Sequence, residues 1–334
     1  MKILGIETSC DETAAAVVED GVRVHSSVVA SQTAVHHPYG GVVPELASRK
    51  HLENICTVVD RAVSDAGIAL ADIDAIAATR GPGLVGALLV GFSFAKALAY
   101  GRGIPWVGVD HLRGHLNSVF LGDSRPAFPF VALLVSGGHT GIYHVLSHTD
   151  AHLMGQTMDD AAGEAFDKVA KMLALGYPGG VLVSELARQG GPEKIRFPRA
   201  WLDKNGYNFS FSGLKTAVKR YIETHADYRE HVADIAAGFE AAVVDVLSGK
   251  LLHAAEETGC GDIAVVGGVA ANRRLRERVS EAAAAGRLTL HIPDIALCGD
   301  NAAMIAAAGY HDLINPGGAR GRLGDDVYSR TPRP

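Results

Sequence analysis

The chain contains few cysteines, and no two of them lie close together in sequence. Its 334 residues include four cysteines, Cys10, Cys56, Cys260 and Cys298, which form no C-x-x-C motif. A disulfide framework or a cysteine-based zinc module needs cysteines at short, patterned spacings. The cysteine pattern therefore argues against both classes and is typical of a protein from a reducing compartment.

The sequence also lacks a long apolar run and an excess of positive charge. Its longest apolar stretch, Leu84 to Ala95, stops at Lys96 and is shorter than the roughly 18 residues expected of a membrane span. The N-terminal residues are charged again by Glu7 and do not resemble the apolar core of a secretion signal. The formal net charge of −6 gives no general attraction to nucleic acid, so such binding needs a local basic patch or a partner. We expect a cytoplasmic protein without a membrane segment.

Length and turn pattern predict two α/β lobes. A chain of 334 residues is expected to form two domains of roughly 100–200 residues each. A strand at residues 2–7 is followed by a polar turn, Thr8 to Thr13, and a returning strand. The same pattern recurs at residues 128–146, with a turn of small and hydroxyl residues at 137–140. Two such hairpins predict an internal duplication of one α/β unit, with a cleft between two lobes.

The pair His111 and His115 suggests a metal site. Residues four apart lie on one face of a helix, about 5–6 Å apart at Cβ, so two imidazoles can bind one ion. Asp110 is suited to cap the start of that helix, because its carboxylate can accept a backbone N–H. The chain has 15 histidines, so such a spacing also arises by chance. The pair alone leaves metal binding and ordinary histidines both open.

Asp300 offers a third ligand. It precedes a helix predicted from Ala302 to Tyr310 and is suited to be its N-cap. It is also a carboxylate at the start of a helix, and two histidines with one carboxylate are a known ligand set for Fe(II), with zinc also compatible. No glutamate lies between the two histidines, which argues against a zincin-type metalloprotease.

Two stretches of the second half of the chain are rich in basic residues. Residues 188–220 interleave basic residues with aromatics, a pattern that can follow a nucleic-acid backbone and stack on bases. A solvated surface over an aromatic cluster explains the pattern as well. The second stretch is the helix predicted from Arg273 to Val279, where a preceding Gly-Gly turn is a plausible seat for a nucleotide. The basic residues of the first stretch are Arg188, Lys194, Arg196, Arg199, Lys204, Lys215, Lys219 and Arg220.

Eight segments together carry a family signature that no single motif provides. They are GIETSCDETAAAVV at the N-terminus, RGPGLVGALLVG at 80–91, DHLRGHL at 110–116, LLVSGGHT at 133–140, GEAFDKVAKMLALGYPGG at 163–180, NFSFSGLKTAV at 208–218, VVGGVAANRRLRE at 265–277 and CGDNAAMIA at 298–306. In order and spacing the chain resembles the tRNA N6-adenosine threonylcarbamoyltransferases of the bacterial TsaD type over nearly its whole length. It departs from the family pattern at Val181, where proline is common, and at Ser184, where some members have aspartate.

The resemblance implies a fold and an activity. The fold is a two-lobed α/β actin-like, Hsp70-like ATPase fold with duplicated RNase-H-like domains. We expect one lobe at residues 1–110 with segment 311–334 packed back on it. The other lobe is expected at 111–310, with an inserted helical segment at about 151–258. The implied activity moves a threonylcarbamoyl group from threonylcarbamoyl-adenylate to N6 of adenosine 37, in tRNAs that read codons beginning with A, and releases AMP.

The resemblance also implies site residues and partners. His111, His115 and Asp300 hold one Fe²⁺ per subunit, for which zinc can substitute, and Asp11 and Glu12 are the candidate catalytic acids. The expected partners are tRNA, a paralogous dimerisation subunit and a small ATPase. The implied substrate-contacting residues are Leu134, Val135, Ser136, Gly137, Gly138, Asp167, Gly180 and Asn272.

Two other functions remain open from the residues alone. An H-x-x-x-H metalloprotease would use the histidine pair, but it would lack the glutamate base and leave the duplicated hairpins without a purpose. A nucleotide-gated actin-fold binding module would change conformation with ATP without modifying tRNA. The transferase is the main hypothesis.

Overall fold

The computed structural model describes residues 1–201, 206–315, 317–318 and 320–330. The chain forms two compact units. The first contains Met1–Arg125 and Asp300–Pro334, and the second contains Pro126–Gly299. The first unit therefore extends past the boundary expected at residue 110 and resumes before residue 311.

The first unit is built on a five-stranded sheet with helices packed against it. Its strands are β1 (Lys2–Glu7), β2 (Glu12–Glu19), β3 (Arg23–Ser31), β4 (Ala75–Gly81) and β5 (Trp106–Asp110). Its helices are α1 (Thr33–His36), α2 (Pro44–Asp65), α3 (Val85–Arg102), α4 (His111–Asn117) and α11 (Ala302–Ile314). Helix α4 packs against α11, which is why it belongs to this unit.

The second unit repeats the sheet and adds more helices. Its strands are β6 (Phe130–Val135), β7 (Thr140–Val145), β8 (Ala151–Gln156), β9 (Asp262–Val266) and β10 (Thr289–His291). Its helices are α5 (Ala162–Met172), α6 (Gly179–Ala187), α7 (Ser212–Thr224), α8 (Val232–Thr258), α9 (Arg273–Gly286) and α10 (Ile295–Cys298). Short 3-10 helices in the two units are His37–Tyr39, Leu70–Asp72, Ser118–Leu121, Tyr228–His231 and Gly268–Ala271.

The two sheets have the same topology. The first has the strand order β3-β2-β1-β4-β5, and the second has β8-β7-β6-β9-β10. In each, the first three strands form an antiparallel meander, and the first strand also pairs in parallel with the fourth. In each, the fourth strand pairs in parallel with the fifth. The internal duplication predicted from the two hairpins is therefore confirmed.

The buried strands and helices follow from their apolar sequences. All six residues of β6 are buried, as expected of a strand covered on both faces. Helix α8 is apolar on most of its surface and is buried accordingly, with Glu240 as an acidic residue among its buried positions. Each fully buried aliphatic side chain of such elements stabilises the fold by about 1.5–3 kcal/mol.

A segment rich in proline and glycine begins a helix here rather than ending one. Residues 177–180, Tyr-Pro-Gly-Gly, are of the types that often follow the end of a helix. Helix α5 instead ends at Met172, and Pro178 takes the extended N-cap position of α6. Proline is well tolerated at a helix start, where a missing N–H costs little. Within the described ranges, no helix is both long and apolar enough to cross a lipid bilayer.

Candidate functional site

Helix α4 begins as the sequence predicts, with Asp110 as its N-cap. One carboxylate oxygen of Asp110 accepts hydrogen bonds from the backbone N–H groups of Leu112 and Arg113, at 3.0 and 3.1 Å. The other oxygen accepts a hydrogen bond from the hydroxyl of Tyr328 at 2.7 Å. Both oxygens of the cap are thus held, so the orientation of the first helical turn is well defined.

The two histidines of α4 meet Asp300 within the first unit. The ring centroids of His111 and His115 are 4.8 Å apart. Asp300 Oδ1 lies 3.1 Å from Nε2 of His115 and 3.6 Å from Nε2 of His111. The three residues that the family resemblance assigns to a metal ion therefore form one cluster.

Asp300 is not the N-cap of α11, the alternative role considered from the sequence. Asn301 takes that position, and its Oδ1 accepts a hydrogen bond from the backbone N–H of Met304 at 3.0 Å. The start of α11 lies directly on β1, since a Cβ added at Gly5 would stand 2.1 Å from the carbonyl oxygen of Ala302. The close approach that Gly5 permits brings the Asp300 carboxylate to the histidines.

The cluster suits a metal ion. Its donor atoms all lie within 4.8 Å of one another. Two ligand atoms at about 2.1 Å from one tetrahedral ion are about 3.4 Å apart, close to both distances measured from Asp300. His115 is fully buried, whereas the Asp300 side chain is 20% exposed, so the cluster is reachable from one side. Two imidazoles and one carboxylate fit Fe(II) or zinc and leave further coordination positions open.

A buried carboxylate that the sequence analysis did not single out stands behind His111. Glu7 Oε2 lies 3.0 Å from Nδ1 of His111 and accepts a hydrogen bond from the Thr79 hydroxyl at 2.5 Å. Its other oxygen accepts from the backbone N–H of Ser9. Burial alone would raise the pKa of Glu7, but its contacts with His111 and Ser9 hold it below the usual value. Burial alone would lower the pKa of His111, yet Asp300 and Glu7 raise it to about 9.

The acids of the first hairpin belong to the same electrostatic environment. Asp11 is buried and Glu12 is half-buried, and the Ser31 hydroxyl donates a hydrogen bond to Glu12 at 3.3 Å. Burial, with the nearby Asp11 and Asp300, raises the pKa of Glu12 to about 9. In the metal-free protein, Glu12 therefore carries a proton at neutral pH.

A separate cavity of about 690 Å³ lies in the second unit. It brings together four of the substrate-contacting residues implied by the resemblance, Gly137, Asp167, Gly180 and Asn272. The others lie nearby in the chain but are not among its lining residues. Leu134 and Val135 are buried in β6, Ser136 is buried in the turn that follows, and Gly138 is exposed in that turn.

Hydrogen bonds hold the walls of this cavity. Asn272 caps α9 with Oδ1, which accepts from the backbone N–H of Leu275 at 2.9 Å. Its amide group donates to the Ser184 hydroxyl and to the carboxylate of Glu240, each at 2.8 Å. Asp167 accepts from the backbone N–H of Gly179 at 2.8 Å and so anchors the start of α6.

Ser184, one of the two residues that depart from the family pattern, belongs to this hydrogen-bond network. Ser184 and the exposed Val181 both line the cavity, together with the buried Glu240. Glu240 was missed from the sequence. The sequence feature that could have identified Glu240 is its position as a single acidic residue within an apolar run of α8. Glu7 has the same feature, as a single acidic residue at the end of the apolar β1.

Several cations of the basic stretch are held in ion pairs. Lys215 contacts Asp160 at 2.7 Å, and Lys219 contacts Glu223 at 3.7 Å. Lys204 lies outside the described residues. Three arginines, Arg196, Arg199 and Arg274, line a recess of about 440 Å³ in the second unit, and Arg274 also lines the larger cavity.

The duplicated sheets define the class of protein. Their topology is that of the actin-like ATPase fold, and solved structures agree. Component A of the (R)-2-hydroxyglutaryl-CoA dehydratase from Acidaminococcus fermentans has a TM-score of 0.55 at 15% identity, covering 93% of this chain and 98% of that chain. Full-length HypF, in its phosphate- and nucleotide-bound form, has a TM-score of 0.63 at 14% identity, covering 95% of this chain and 47% of that chain. At these identities the likeness shows the fold alone.

Sequence comparison identifies the family. The family model of TsaD, tRNA N6-adenosine threonylcarbamoyltransferase, matches residues 23–307. Curated relatives of that name come from Desulforapulum autotrophicum, 60% identical over 332 residues, and Syntrophobacter fumaroxidans, 58% identical over 337 residues. Each alignment covers 99% of this chain and 99% of the relative. The chain belongs to the tRNA N6-adenosine threonylcarbamoyltransferase family.

Proposed function

We propose that the chain transfers the threonylcarbamoyl group from threonylcarbamoyl-adenylate to N6 of adenosine 37 in tRNAs that read codons beginning with A. The product is t6A, and AMP is released. The observation that carries this proposal is the shared cavity of Gly137, Asp167, Gly180 and Asn272, positions that the family resemblance assigns to the substrate. Its volume of about 690 Å³ is typical of a site for a small molecule or cofactor.

The reaction needs no further activation at this step, because the donor is a mixed anhydride. N6 of the adenosine attacks the carbamoyl carbon, and a C–N bond forms. The bond between that carbon and the phosphate oxygen breaks, and AMP leaves with the electron pair. N6 loses one proton. The protein must therefore bind the donor, orient it and provide a proton acceptor.

The cavity walls supply donor binding. A Cβ at Gly137 or Gly180 would meet no protein atom within 4 Å, so these glycines leave room for the donor to approach the backbone. Arg188 and Arg274 line the same cavity and bring positive charge toward the phosphate of the adenylate, whereas Arg273 is paired with Glu277 of the cavity wall at 2.6 Å. The Asn272 amide keeps α6, α8 and α9 in position around the donor through its three hydrogen bonds.

The histidine–aspartate cluster is the proposed metal centre. We assign His111, His115 and Asp300 as ligands of one Fe²⁺ per subunit, with zinc as a possible substitute. A metal ion bound there would supply a Lewis acid able to polarise an oxygen ligand. Asp11 and Glu12 of the first hairpin remain the candidate catalytic acids, and burial beside neighbouring carboxylates raises the pKa of Glu12.

The tRNA surface is proposed to lie on the second unit. The net charge of −6 makes a local basic surface necessary, since phosphate contacts dominate nucleic-acid affinity. Arg196 and Arg274 in the arginine recess are better candidates for phosphate contacts than Lys215 and Lys219, because each of these lysines is already paired with a carboxylate. By family resemblance, we also propose a paralogous dimerisation subunit and a small ATPase as partners. The transfer reaction is proposed to take place in the cytoplasm.

The test is a reconstituted transfer reaction. Anaerobically purified protein, its partner subunits and synthetic threonylcarbamoyl-adenylate are incubated with unmodified tRNA, and the nucleosides are analysed by mass spectrometry. We expect t6A and AMP to appear in equal amounts. Peptide cleavage, or an ATP-driven conformational change without t6A, would instead favour the metalloprotease or the nucleotide-gated binding module, neither of which the comparisons support.

A further inference from the structure

The carboxylate of Glu7 is isolated from solvent, and both of its oxygens face hydrogen-bond donors. The residue is 0% exposed at the end of β1. One oxygen accepts from the Ser9 backbone, and the other faces both the Thr79 hydroxyl and Nδ1 of His111. A buried carboxylate is costly unless it is fully hydrogen-bonded, so its position is strongly constrained.

This contact determines which nitrogen of His111 carries the proton. A carboxylate can only accept hydrogen bonds, so Nδ1 of His111 must be the donor. Nε2 is then the nitrogen with the lone pair in the neutral ring. It is also the nitrogen that lies 3.6 Å from Asp300 Oδ1, on the side of the proposed metal ion. When the ring is neutral, as binding to a metal ion requires, this contact leaves His111 in the tautomer that places the lone pair of Nε2 toward the ion.

His115, the second histidine of the cluster, has no equivalent of the contact between Glu7 and His111. Nδ1 of His115 is buried and has no hydrogen-bond partner among the described residues. The two imidazoles thus differ in their supporting contacts, although both turn Nε2 toward Asp300. Among the described residues, only His111 has a carboxylate at Nδ1, the nitrogen turned away from Asp300.

We propose that Glu7 is a positioning residue for the metal centre, which sets the tautomer and ring orientation of His111 and strengthens it as a ligand. The inference rests on the proposed metal role of His111, His115 and Asp300. Hydrogen-bond partners of metal-bound histidines typically contribute about 10–100-fold in metal affinity.

The experiment measures metal binding apart from transfer. The full-length chain is stripped of metal, and Co²⁺ and Zn²⁺ affinities are determined by competition with a chromophoric chelator. In the Glu7→Gln variant we expect both affinities to fall about 10–100-fold, because an uncharged amide accepts more weakly and can also turn its NH₂ toward Nδ1. ¹H NMR of the Zn²⁺ form should show the Nδ1 proton of His111 shifted strongly downfield in the parent, where it is donated to a carboxylate, and a smaller downfield shift in the variant, where an amide accepts it more weakly.

Asp312→Asn is the matched control. Asp312 is a carboxylate that pairs with Arg113 of the same helix α4, away from the imidazoles. It should leave metal affinity within about twofold, so an equal loss in both variants would mean that α4 is merely destabilised and would overturn the proposal.

A second variant covers the case in which Glu7→Gln does not fold. Glu7→Asp keeps the charge but withdraws the carboxylate by one methylene, so it cannot keep the 3.0 Å contact with His111. It should also weaken metal binding and alter the Co²⁺ absorption spectrum. A folded Glu7 variant with unchanged affinity overturns the role of Glu7 alone, whereas a parent protein that binds neither ion overturns the metal centre itself.

Discussion

The two hairpin turns of the duplicated sheets occupy equivalent places but carry opposite chemistry. The turn after β1 is mostly buried and acidic, with Glu7 and Glu12 close to Asp300 and with Asp11 close to Glu12. The turn after β6 exposes Gly137 and Gly138, where an added Cβ would meet no protein atom. Duplication thus provided two copies of one scaffold. The first copy encloses charges and suits a metal ion and protons, whereas the second leaves open space and suits a substrate.

The largest effect is expected from breaking the charged cluster. Replacing His115 by Ala removes a fully buried ligand and should abolish metal loading and lower the t6A rate by more than about 100-fold. Elemental analysis and mass spectrometry of tRNA nucleosides measure the two effects. His152→Ala, at an exposed histidine of β8, is the control and should change neither. If the His115→Ala protein keeps its full metal content and its full t6A rate, His115 is not a metal ligand and the proposed metal centre is wrong.

A smaller effect tests the open cavity. Gly180→Ala places a Cβ in unoccupied space at the cavity wall, so it should leave stability unchanged and raise KM for the donor about tenfold, equivalent to about 1.4 kcal/mol. Gly101→Ala in α3 of the first unit is the control, because its Cβ also meets no protein atom within 4 Å but residue 101 does not line the cavity. Equal KM values for the two variants would argue that the donor lies elsewhere.

Charge reversal sharpens the choice of tRNA surface. Arg196→Glu with Arg274→Glu should weaken tRNA binding about tenfold and reduce the salt dependence of affinity by about one unit of slope per lost phosphate contact. Lys219→Glu with Arg220→Glu, on α7 of the same unit, serves as the comparison and should have a smaller effect. Binding isotherms at several salt concentrations decide between them. A larger loss of tRNA affinity in the Lys219→Glu, Arg220→Glu variant would indicate that tRNA binds at α7 instead.

The last test concerns stability rather than activity and involves the proton on Glu12. Its pKa rises from 4.5 to about 9 on folding, so between these values the folded metal-free protein binds one proton more than the unfolded chain. The free energy of unfolding should therefore fall as pH rises through this range. Glu12→Gln should flatten that fall, as measured by urea unfolding between pH 5 and 9. Glu53→Gln, at an exposed carboxylate, should leave it unchanged, and a parallel curve for Glu12→Gln would show that the carboxyl is ionised.

Local rules predicted much of this protein. Turn residues and spacing indicated the paired hairpins and the helices that begin near His111, Arg273 and Ala302. Asp110 was correctly expected to cap α4, because capping depends on neighbouring residues alone. The same rule did not separate Asp300 from Asn301, since both are good caps. In the structure Asn301 caps α11, and the start of that helix packs on β1 at Gly5. This contact joins residues almost 300 positions apart, so neighbouring residues alone could not reveal it.

The sequence by itself determined the duplicated α/β organisation, the histidine spacing and the family, because each is written in periodicity or in ordered motifs. Tertiary structure alone decided which side chains meet. Glu7 and His111 are 104 residues apart, and Asn272 and Glu240 are 32 apart. A lone acid in an apolar run shows only that a buried charge must find a partner. The partner is chosen by packing, because burial makes each unpaired charge costly and leaves one arrangement that satisfies them together.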